Sequence, residues 1–174
     1  MTPMLQYFRP TPTEDCAVKI ELEELRTKLI KDGPRASLVY LNNLTEHRFT
    51  AMYRFDRDVQ EGDILHALFF YDRENPEANE SEDVPIMAAY CMFVRDRCEP
   101  FVTENSLGDT RTTGHPKRRE IRSYCGVPLL TGDGQMLGTV CHFDFEPRVV
   151  SEECITLMQA LAGMLQEQDR LAAG

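Results

Sequence analysis

The sequence lacks any apolar run of the ~18 to 20 residues that a membrane-spanning helix needs. Its first ten residues also lack the basic stretch followed by an apolar stretch that marks a secretory signal. A basic surplus is missing too, because 19 lysines and arginines stand against 29 aspartates and glutamates, a net charge of -10. Such a charge repels nucleic-acid backbones and anionic membrane surfaces. We therefore expect no nucleic-acid partner and no membrane partner.

The six cysteines, at positions 16, 91, 98, 125, 141 and 154, lack a recognisable pattern. No pair is spaced as C-x-x-C, and none is grouped with histidine at the spacing of zinc ligands, so we expect no metal site. Free thiols without a disulfide framework are typical of a reducing compartment, which predicts a cytoplasmic protein. The simplest interpretation of each thiol is burial as a small apolar side chain.

A chain of 174 residues is long enough for one domain whose core needs no disulfide. We expect an N-terminal extension over residues 1–11, a single domain over 12–169 and a C-terminal tail over 170–174. From this length we expect no separate output domain.

A helix is predicted over residues 12–32, because Thr11, Pro12 and Glu14 form a helix-start pattern and Gly33-Pro34 ends the helix. A second long helix is predicted over 151–169. The first helix carries a narrow apolar seam of the kind that packs on one other helix, made by Val18, Leu22, Leu25 and Leu29. We therefore expect a homodimer that is built on both helices, with Leu22, Leu25 and Leu29 among its apolar anchors.

The middle of the chain changes to a period of two, which is typical of strands. This pattern predicts strands over 38–42, 48–55 and 64–71. An acidic, solvated loop is expected over 72–83, a short helix over 85–95, a strand over 100–104 and an irregular loop over 105–120. Two apolar runs on either side of the Gly132-Asp-Gly134 turn predict a hairpin over 121–130 and 135–145.

This order of elements predicts an α+β fold around a mainly antiparallel sheet. We expect the terminal helices to cover one face of the sheet. The short helix and the 105–120 loop then cover the other face, and such a thin cover favours a pocket.

The segment from Asp109 to Arg122 is a basic patch in an acidic protein, with five lysines and arginines against two acids. Together with His115, these cations are suited to bind a carboxylate or a phosphate. The alternative interpretation is a solvated loop whose cations pair with nearby acids.

A tight four-residue turn would pair Leu130 with Gln135 in the hairpin. Strand alternation then places four polar side chains on one face, Ser123, Cys125, His142 and Asp144. In this register Cys125 lies near His142, and the two form a candidate thiolate and base. The alternative is a buried thiol beside a histidine that Asp144 satisfies, and a slip of one residue would exchange the partners.

The hairpin sequence resembles the closing hairpin of a GAF domain. Its strongest elements are G-V-P-L at 126–129, L-G-T-V-C-x-F-D at 137–144 and P-R at 147–148. Upstream, Y-C-M-F-V at 90–94, E-P-F-V at 99–102, D-T-R at 109–111 and H-P at 115–116 resemble the helix, strand and loop that precede this hairpin in GAF domains of bacterial signalling proteins. The resemblance spans residues 14 to 168.

The resemblance implies a helix-flanked antiparallel sheet, frequent dimerisation through the terminal helices and a pocket for a small molecule. We therefore expect a bacterial, non-catalytic sensory domain in signal transduction that binds an unidentified small molecule, with anions among the candidate ligands, and passes this state to a signalling partner or across a dimer. The sequence does not identify a cofactor. Candidate pocket residues are Tyr90, Cys91, Asp109, Arg111, His115, Arg122, Tyr124, Cys125, Cys141, His142 and Asp144.

Two other functions stay open from the sequence. The first is a thiol enzyme similar to the free methionine sulfoxide reductases, which also use a GAF fold, with two or more of Cys91, Cys98, Cys125 and Cys141 as redox partners. The second is a structural dimerisation module with a filled core and no pocket.

Overall fold

The computed structural model describes residues 12–58, 60 and 62–173. The predicted extension over 1–11, with its capping residue Thr11, lies outside the described residues. The helices are α1 (Pro12–Asp32), α2 (Pro34–Asn43), α3 (Cys91–Arg97) and α4 (Glu152–Ala172). The strands are β1 (Phe49–Asp58), β2 (Gly62–Asp72), β3 (Val84–Pro85), β4 (Phe101–Thr103), β5 (Ser123–Leu130) and β6 (Met136–Asp144).

The six strands form one antiparallel sheet in the order β3-β2-β1-β6-β5-β4. Helices α1, α2 and α4 lie on one face, which we call the inner face, and α3 lies on the other, which we call the outer face. Each face has its own buried apolar cluster. The predicted α+β architecture is therefore confirmed.

The predicted strand over 38–42 is wrong, because these residues lie in α2. Gly33 ends α1 with a φ of 89°, and Pro34 then occupies the first turn of a new helix, where its missing N–H costs no hydrogen bond. Leu38 and Leu41, three residues apart, face the inner core together. A short apolar run cannot by itself distinguish a strand from a buried helix, and here helix packing decides.

Apart from the segment over 85–95, the other elements are of the predicted type and differ only in length. Both predicted strands at 48–55 and 64–71 are present as β1 and β2. The predicted helix at 85–95 is divided into β3, a 3-10 turn over Ile86–Ala88 and α3. Helix α4 continues to Ala172, three residues beyond its predicted end.

The hairpin register differs from the predicted one by two residues. Cys125 lies opposite His142, and Ser123 lies opposite Asp144. The loop runs from Thr131 to Gln135, with a bulge next to Leu130, so the turn is longer than the tight one we expected. A shift of two leaves every side chain on its predicted face, because strand side chains alternate with a period of two.

The predicted dimer anchors on α1 are wrong. Leu25 and Leu29 are buried in the inner core of the chain itself, and Leu22 packs against the same cluster. Helix α1 meets α2 and α4 of its own chain, which satisfies the narrow apolar seam without a second copy. Leu25 and Leu29 are therefore not available to a partner, whereas Leu22 is half-buried.

Gly138 lies in β6 where β1 approaches most closely. A Cβ atom at this position would overlap the carbonyl oxygen of Tyr53 in the neighbouring strand. The obstacle is backbone, so relief would require the two central strands to move apart. Gly163, within α4, provides a contrast because nothing lies within 4 Å of the corresponding position.

We expect Gly138→Ala to lower the free energy of unfolding by about 3 kcal/mol or more, because it overpacks the centre of the sheet. We expect Gly163→Ala to raise it by about 0.4 to 1 kcal/mol, because alanine restricts the unfolded chain and suits a helix. Urea unfolding followed by circular dichroism measures both. Equal effects of the two substitutions would contradict this description of the β1–β6 contact.

Candidate functional site

A cavity of about 300 Å³ lies on the outer face between the sheet and the segments around residues 84–91 and 117–121. This volume is at the lower end of the ~300 to 1,000 Å³ that small-molecule sites occupy. Its floor consists of side chains that four strands direct to the outer face, and most of these are apolar: Phe49, Tyr53, Leu65, Phe70, Tyr124, Cys141 and Phe143. Val84, Ala88, Ala89, Tyr90 and Cys91 form the roof, and Ser81, Lys117, Glu120, Ile121 and Phe145 complete the wall.

Tyr90 fixes the roof of the cavity. It is 1% exposed, and its hydroxyl donates a hydrogen bond to the Ile121 carbonyl at 3.1 Å. Its ring centroid lies 4.6 Å from that of His115 and 5.7 Å from that of Tyr124. One side chain thus joins the start of α3, the 105–120 loop and the floor, which keeps the cavity preformed. Burial against these rings lowers the pKa of His115 and favours its neutral form.

Two thiols meet where the roof joins the floor. Cys91 Sγ accepts hydrogen bonds from the Tyr124 hydroxyl at 3.2 Å and from Thr139 Oγ1 at 3.3 Å, and Cys141 contacts it as a third donor. Burial opposes ionisation of Cys91, but the three donors outweigh burial and lower its pKa. Burial, followed by the neighbouring Cys91, raises the pKa of Cys141. Both side chains line the cavity.

The structure divides the predicted pocket residues among separate places. Four of them, Tyr90, Cys91, Tyr124 and Cys141, line the cavity, and His115 packs behind the roof. Three others lie outside it, on the loop side: Asp109, Arg111 and Arg122. The remaining three, Cys125, His142 and Asp144, are on the inner face, so the eleven residues do not form one site.

Most of the basic patch stabilises its own loop. Arg111 Nη2 pairs with Asp109 at 2.7 Å, and this guanidinium holds the pKa of Asp109 at about 2. Arg118 donates to the Ser106 and Leu107 carbonyls, and Arg122 donates to Asn105 Oδ1. The one loop cation that lines the cavity is Lys117, which pairs with Glu120 at 2.7 Å.

Apart from Tyr124, the aromatic residues of the floor were not predicted from the sequence. Alternation along β1 shows that Phe49 and Tyr53 share a face, but this pattern does not reveal which face carries a cavity. Phe70 and Phe143 join them only through strand pairing, and Phe145, just beyond the end of β6, adds to the wall. Phe49 and Phe143 are register partners whose rings stack at 4.7 Å.

On the inner face, Asp144 has a structural role. It accepts hydrogen bonds at 2.9 Å from the backbone N–H groups of Arg48 and Glu146 and from Arg148 Nε. Burial opposes its ionisation, but these donors outweigh burial and lower its pKa. The carboxylate thereby ties the start of β1 to the end of β6.

Cys125 and His142 lie opposite each other, but the prediction that they form a thiolate and base pair is wrong. The thiol that contacts His142 belongs to Cys154 in the first turn of α4. Cys125 lies 3.6 Å from Met158 Sδ and is hydrogen-bonded to Cys154, and this bond together with burial raises its pKa. Cys125 is therefore a protonated, buried thiol.

Within the described residues, no group of three or more histidine, cysteine, aspartate or glutamate side chains is arranged to hold a metal ion. A membrane-spanning length of apolar residues is also missing from every helix of the described part.

Comparison with known proteins places this geometry in context. The family model described as GAF domain matches residues 23–167. No curated protein sequence matches the chain. Among solved structures, the GAF domain from Acinetobacter phosphoenolpyruvate-protein phosphotransferase is similar with a TM-score of 0.69 at 15% identity, over 90% of this chain and 95% of that one.

Two further structures share the fold at low identity. Free methionine-R-sulfoxide reductase from Neisseria meningitidis, in complex with its substrate, has a TM-score of 0.68 at 14% identity, over 92% of this chain and 94% of that one. The chromophore-binding domain of Stigmatella aurantiaca phytochrome P1 has a TM-score of 0.70 at 10% identity, over 91% of this chain and 62% of that one. The family model covers most of the sequence, and the chain belongs to the GAF domain family.

Proposed function

We propose that this GAF domain is a sensory and regulatory module in the cytoplasm of a bacterium, and that its outer-face cavity binds a small, largely apolar molecule. The observation that carries the proposal is the preformed aromatic cavity beneath Tyr90. The GAF fold is a small-molecule-binding regulatory fold, and two of the similar structures are named for a bound substrate and a chromophore. The bound state would pass to a signalling partner or across a dimer.

The lining indicates the chemistry of the ligand. Aromatic rings on the floor suit a planar, apolar body. Lys117, which lines the cavity and would exchange its ion pair with the exposed Glu120 for the ligand, suits one negatively charged group at the rim. Arg111, Arg118 and Arg122 are engaged within the loop and do not line the cavity, which limits the negative charge that the site can bind. This ligand class is narrower than the general anion that the sequence left open.

A pair of naphthalene probes tests this ligand class. We expect the protein to bind both 1-anilinonaphthalene-8-sulfonate and its uncharged analogue N-phenyl-1-naphthylamine, with increased fluorescence. Lys117→Gln should weaken the sulfonate about tenfold, because it removes one charge-assisted contact worth about 1.4 kcal/mol, and should leave the neutral probe unchanged. Ala88→Phe should weaken both, because it fills the cavity.

Ala36→Phe on α2 is the matched control, since this alanine lies away from the cavity. It should bind both probes like the wild type. The site is wrong if Ala88→Phe binds both probes unchanged. A natural ligand present at 100 times its Kd should add about 2.7 kcal/mol of stability, which for a domain of this size raises Tm by about 5 to 10 °C. A metabolite screen by thermal shift would then identify it.

The Cys91 and Cys141 contact favours one alternative, a thiol reductase of the free methionine sulfoxide type. In that reaction two thiols form a disulfide, the sulfoxide becomes a thioether, and its oxygen leaves as water. Incubation with free methionine-R-sulfoxide and titration of the remaining thiols distinguishes the two functions. We expect all six thiols to remain; loss of two thiols per methionine formed, abolished in Cys91→Ser, would establish the enzyme instead.

We also propose that the protein is a homodimer, now through the outward side of α1. Ile20 and Ile30 are 57% and 69% exposed on this helix, unlike the buried leucines of the same helix. Two exposed isoleucines on a helix that packs against α4 are suited to anchor an isologous contact.

Light scattering on the wild type and on Ile20→Lys tests the dimer. The chain has a mass of 20.0 kDa, so we expect about 40 kDa for the wild type and about 20 kDa for the variant. Leu107→Lys, at an exposed leucine of the 105–120 loop, is the control and should stay dimeric. A 20 kDa wild type contradicts the dimer, and a 40 kDa Ile20→Lys contradicts this interface.

A further inference from the structure

We propose that Cys154 and Cys125 form a peroxide-sensitive dithiol beneath α4, with Cys154 as the thiol that reacts first and Cys125 as the thiol that closes a disulfide. This site lies on the inner face of the sheet, opposite the cavity, and does not depend on the function proposed above. It joins the first turn of α4 to β5.

The two thiols lie together because α4 packs across β5. Cys154 is the third residue of α4, and Cys125 is the third residue of β5. Cys125 Sγ lies 3.6 Å and Cys154 Sγ lies 3.9 Å from the same atom, Met158 Sδ. Each thiol also shifts the pKa of the other, so the two sulfurs are neighbours. A disulfide requires this kind of proximity.

The surroundings of Cys154 are built of hydrogen-bond donors. Asn42 Nδ2 donates to Thr50 Oγ1 at 2.8 Å, and Thr50 Oγ1 lies 2.6 Å from His142 Nδ1. With the Thr50 hydroxyl as the donor of this second hydrogen bond, the imidazole proton of His142 is on Nε2, the nitrogen left for Cys154. His142 is 1% exposed, so this orientation is held by the core.

Two more donors meet the same sulfur, the Cys125 thiol and the Thr45 hydroxyl. The N-terminal end of α4 adds its positive dipole, because Ser151 caps the helix three residues before Cys154. The hydrogen bond from Cys125, with that from His142, outweighs burial and lowers the pKa of Cys154 to about 5. Cys154 is thus a thiolate at neutral pH, and Cys125 keeps its proton.

Cys154, the thiol that reacts first, is more exposed than Cys125, the thiol that closes the disulfide. Cys154 is 8% exposed, whereas Cys125 is fully buried behind it. The oxidant is hydrogen peroxide. The Cys154 thiolate attacks one peroxide oxygen, the O–O bond breaks, and the products are a sulfenic acid and hydroxide, which takes up a proton. Cys125 then attacks the oxidised sulfur, and its proton leaves with the hydroxyl as water, so two thiols supply the two electrons.

Peptide mapping of the full chain after a small excess of hydrogen peroxide tests the disulfide. Trypsin without reductant gives peptide 123–148, which contains Cys125 and Cys141, and peptide 149–170, in which Cys154 is the only cysteine. We expect these two peptides to be joined in the wild type and in Cys141→Ser, and to be separate in Cys125→Ser. Fragment ions between positions 125 and 141 locate the bridge in the wild type itself.

The rate of alkylation of Cys154 by iodoacetamide, read from peptide 149–170, is a second measurement that needs no variant. We expect this rate to change less than about twofold between pH 6 and pH 8. Free cysteine, with a pKa near ~8.5, rises more than about tenfold over this range and is the reference. The proposal fails if the Cys154 rate follows free cysteine, if peroxide leaves peptides 123–148 and 149–170 separate, or if the bridge persists in Cys125→Ser.

Discussion

The antiparallel pairing of β1 with β6 is the contact on which the rest of this domain depends. It runs from Phe49 opposite Phe143 to Arg54 opposite Gly138, and in the described part of the chain it is the ladder that joins the N-terminal half of the sheet to the C-terminal hairpin. The partners are about 90 residues apart in sequence, so their pairing carries a large loop-closure cost that burial on both faces of the sheet must offset. Asp144 secures one end of the ladder through the backbone N–H of Arg48.

The same ladder gives the two faces their different chemistry. Odd positions of both strands, such as Ala51 and Cys141, point to the outer face, and the even positions Thr50 and His142 point to the inner face. The outer face is covered thinly, by a seven-residue helix and irregular segments, and retains a cavity. The inner face is covered by long helices and is closed, so its polar groups must satisfy one another.

This closure explains why a chain of hydrogen bonds runs beneath α4. Asn42, Thr50 and His142 are each almost completely buried, and each uses its neighbour as a partner. His47 stacks on His142 with centroids 5.7 Å apart, and burial lowers the pKa of His47 to about 3. A neutral His47 fits such an environment, because a buried cation without a partner would destabilise the fold. The network thereby orders the first turn of α4 around Cys154.

The sequence by itself determined the elements whose signals are local. Proline at the first turn and glycine at the end placed α1, alternation placed β1, and the glycine-rich turn placed the closing hairpin on its correct faces. The motifs at 126–148 were sufficient to predict the family. The resemblance also placed Tyr90, Cys91, Tyr124 and Cys141 in the pocket, because they lie in or beside the motifs that carried it.

Only the tertiary structure decided the features that depend on contacts between distant segments. Leu38 and Leu41 became helical because α2 packs on the sheet, and Leu25 became core because α1 packs on α4 of its own chain. Arg111 and Arg122 lie outside the cavity because they pair with residues of their own loop. Cys154, and not Cys125, contacts His142, because α4 follows the hairpin in the chain and packs back over it. Local patterns specify which face a residue occupies, whereas packing specifies which residue it meets there.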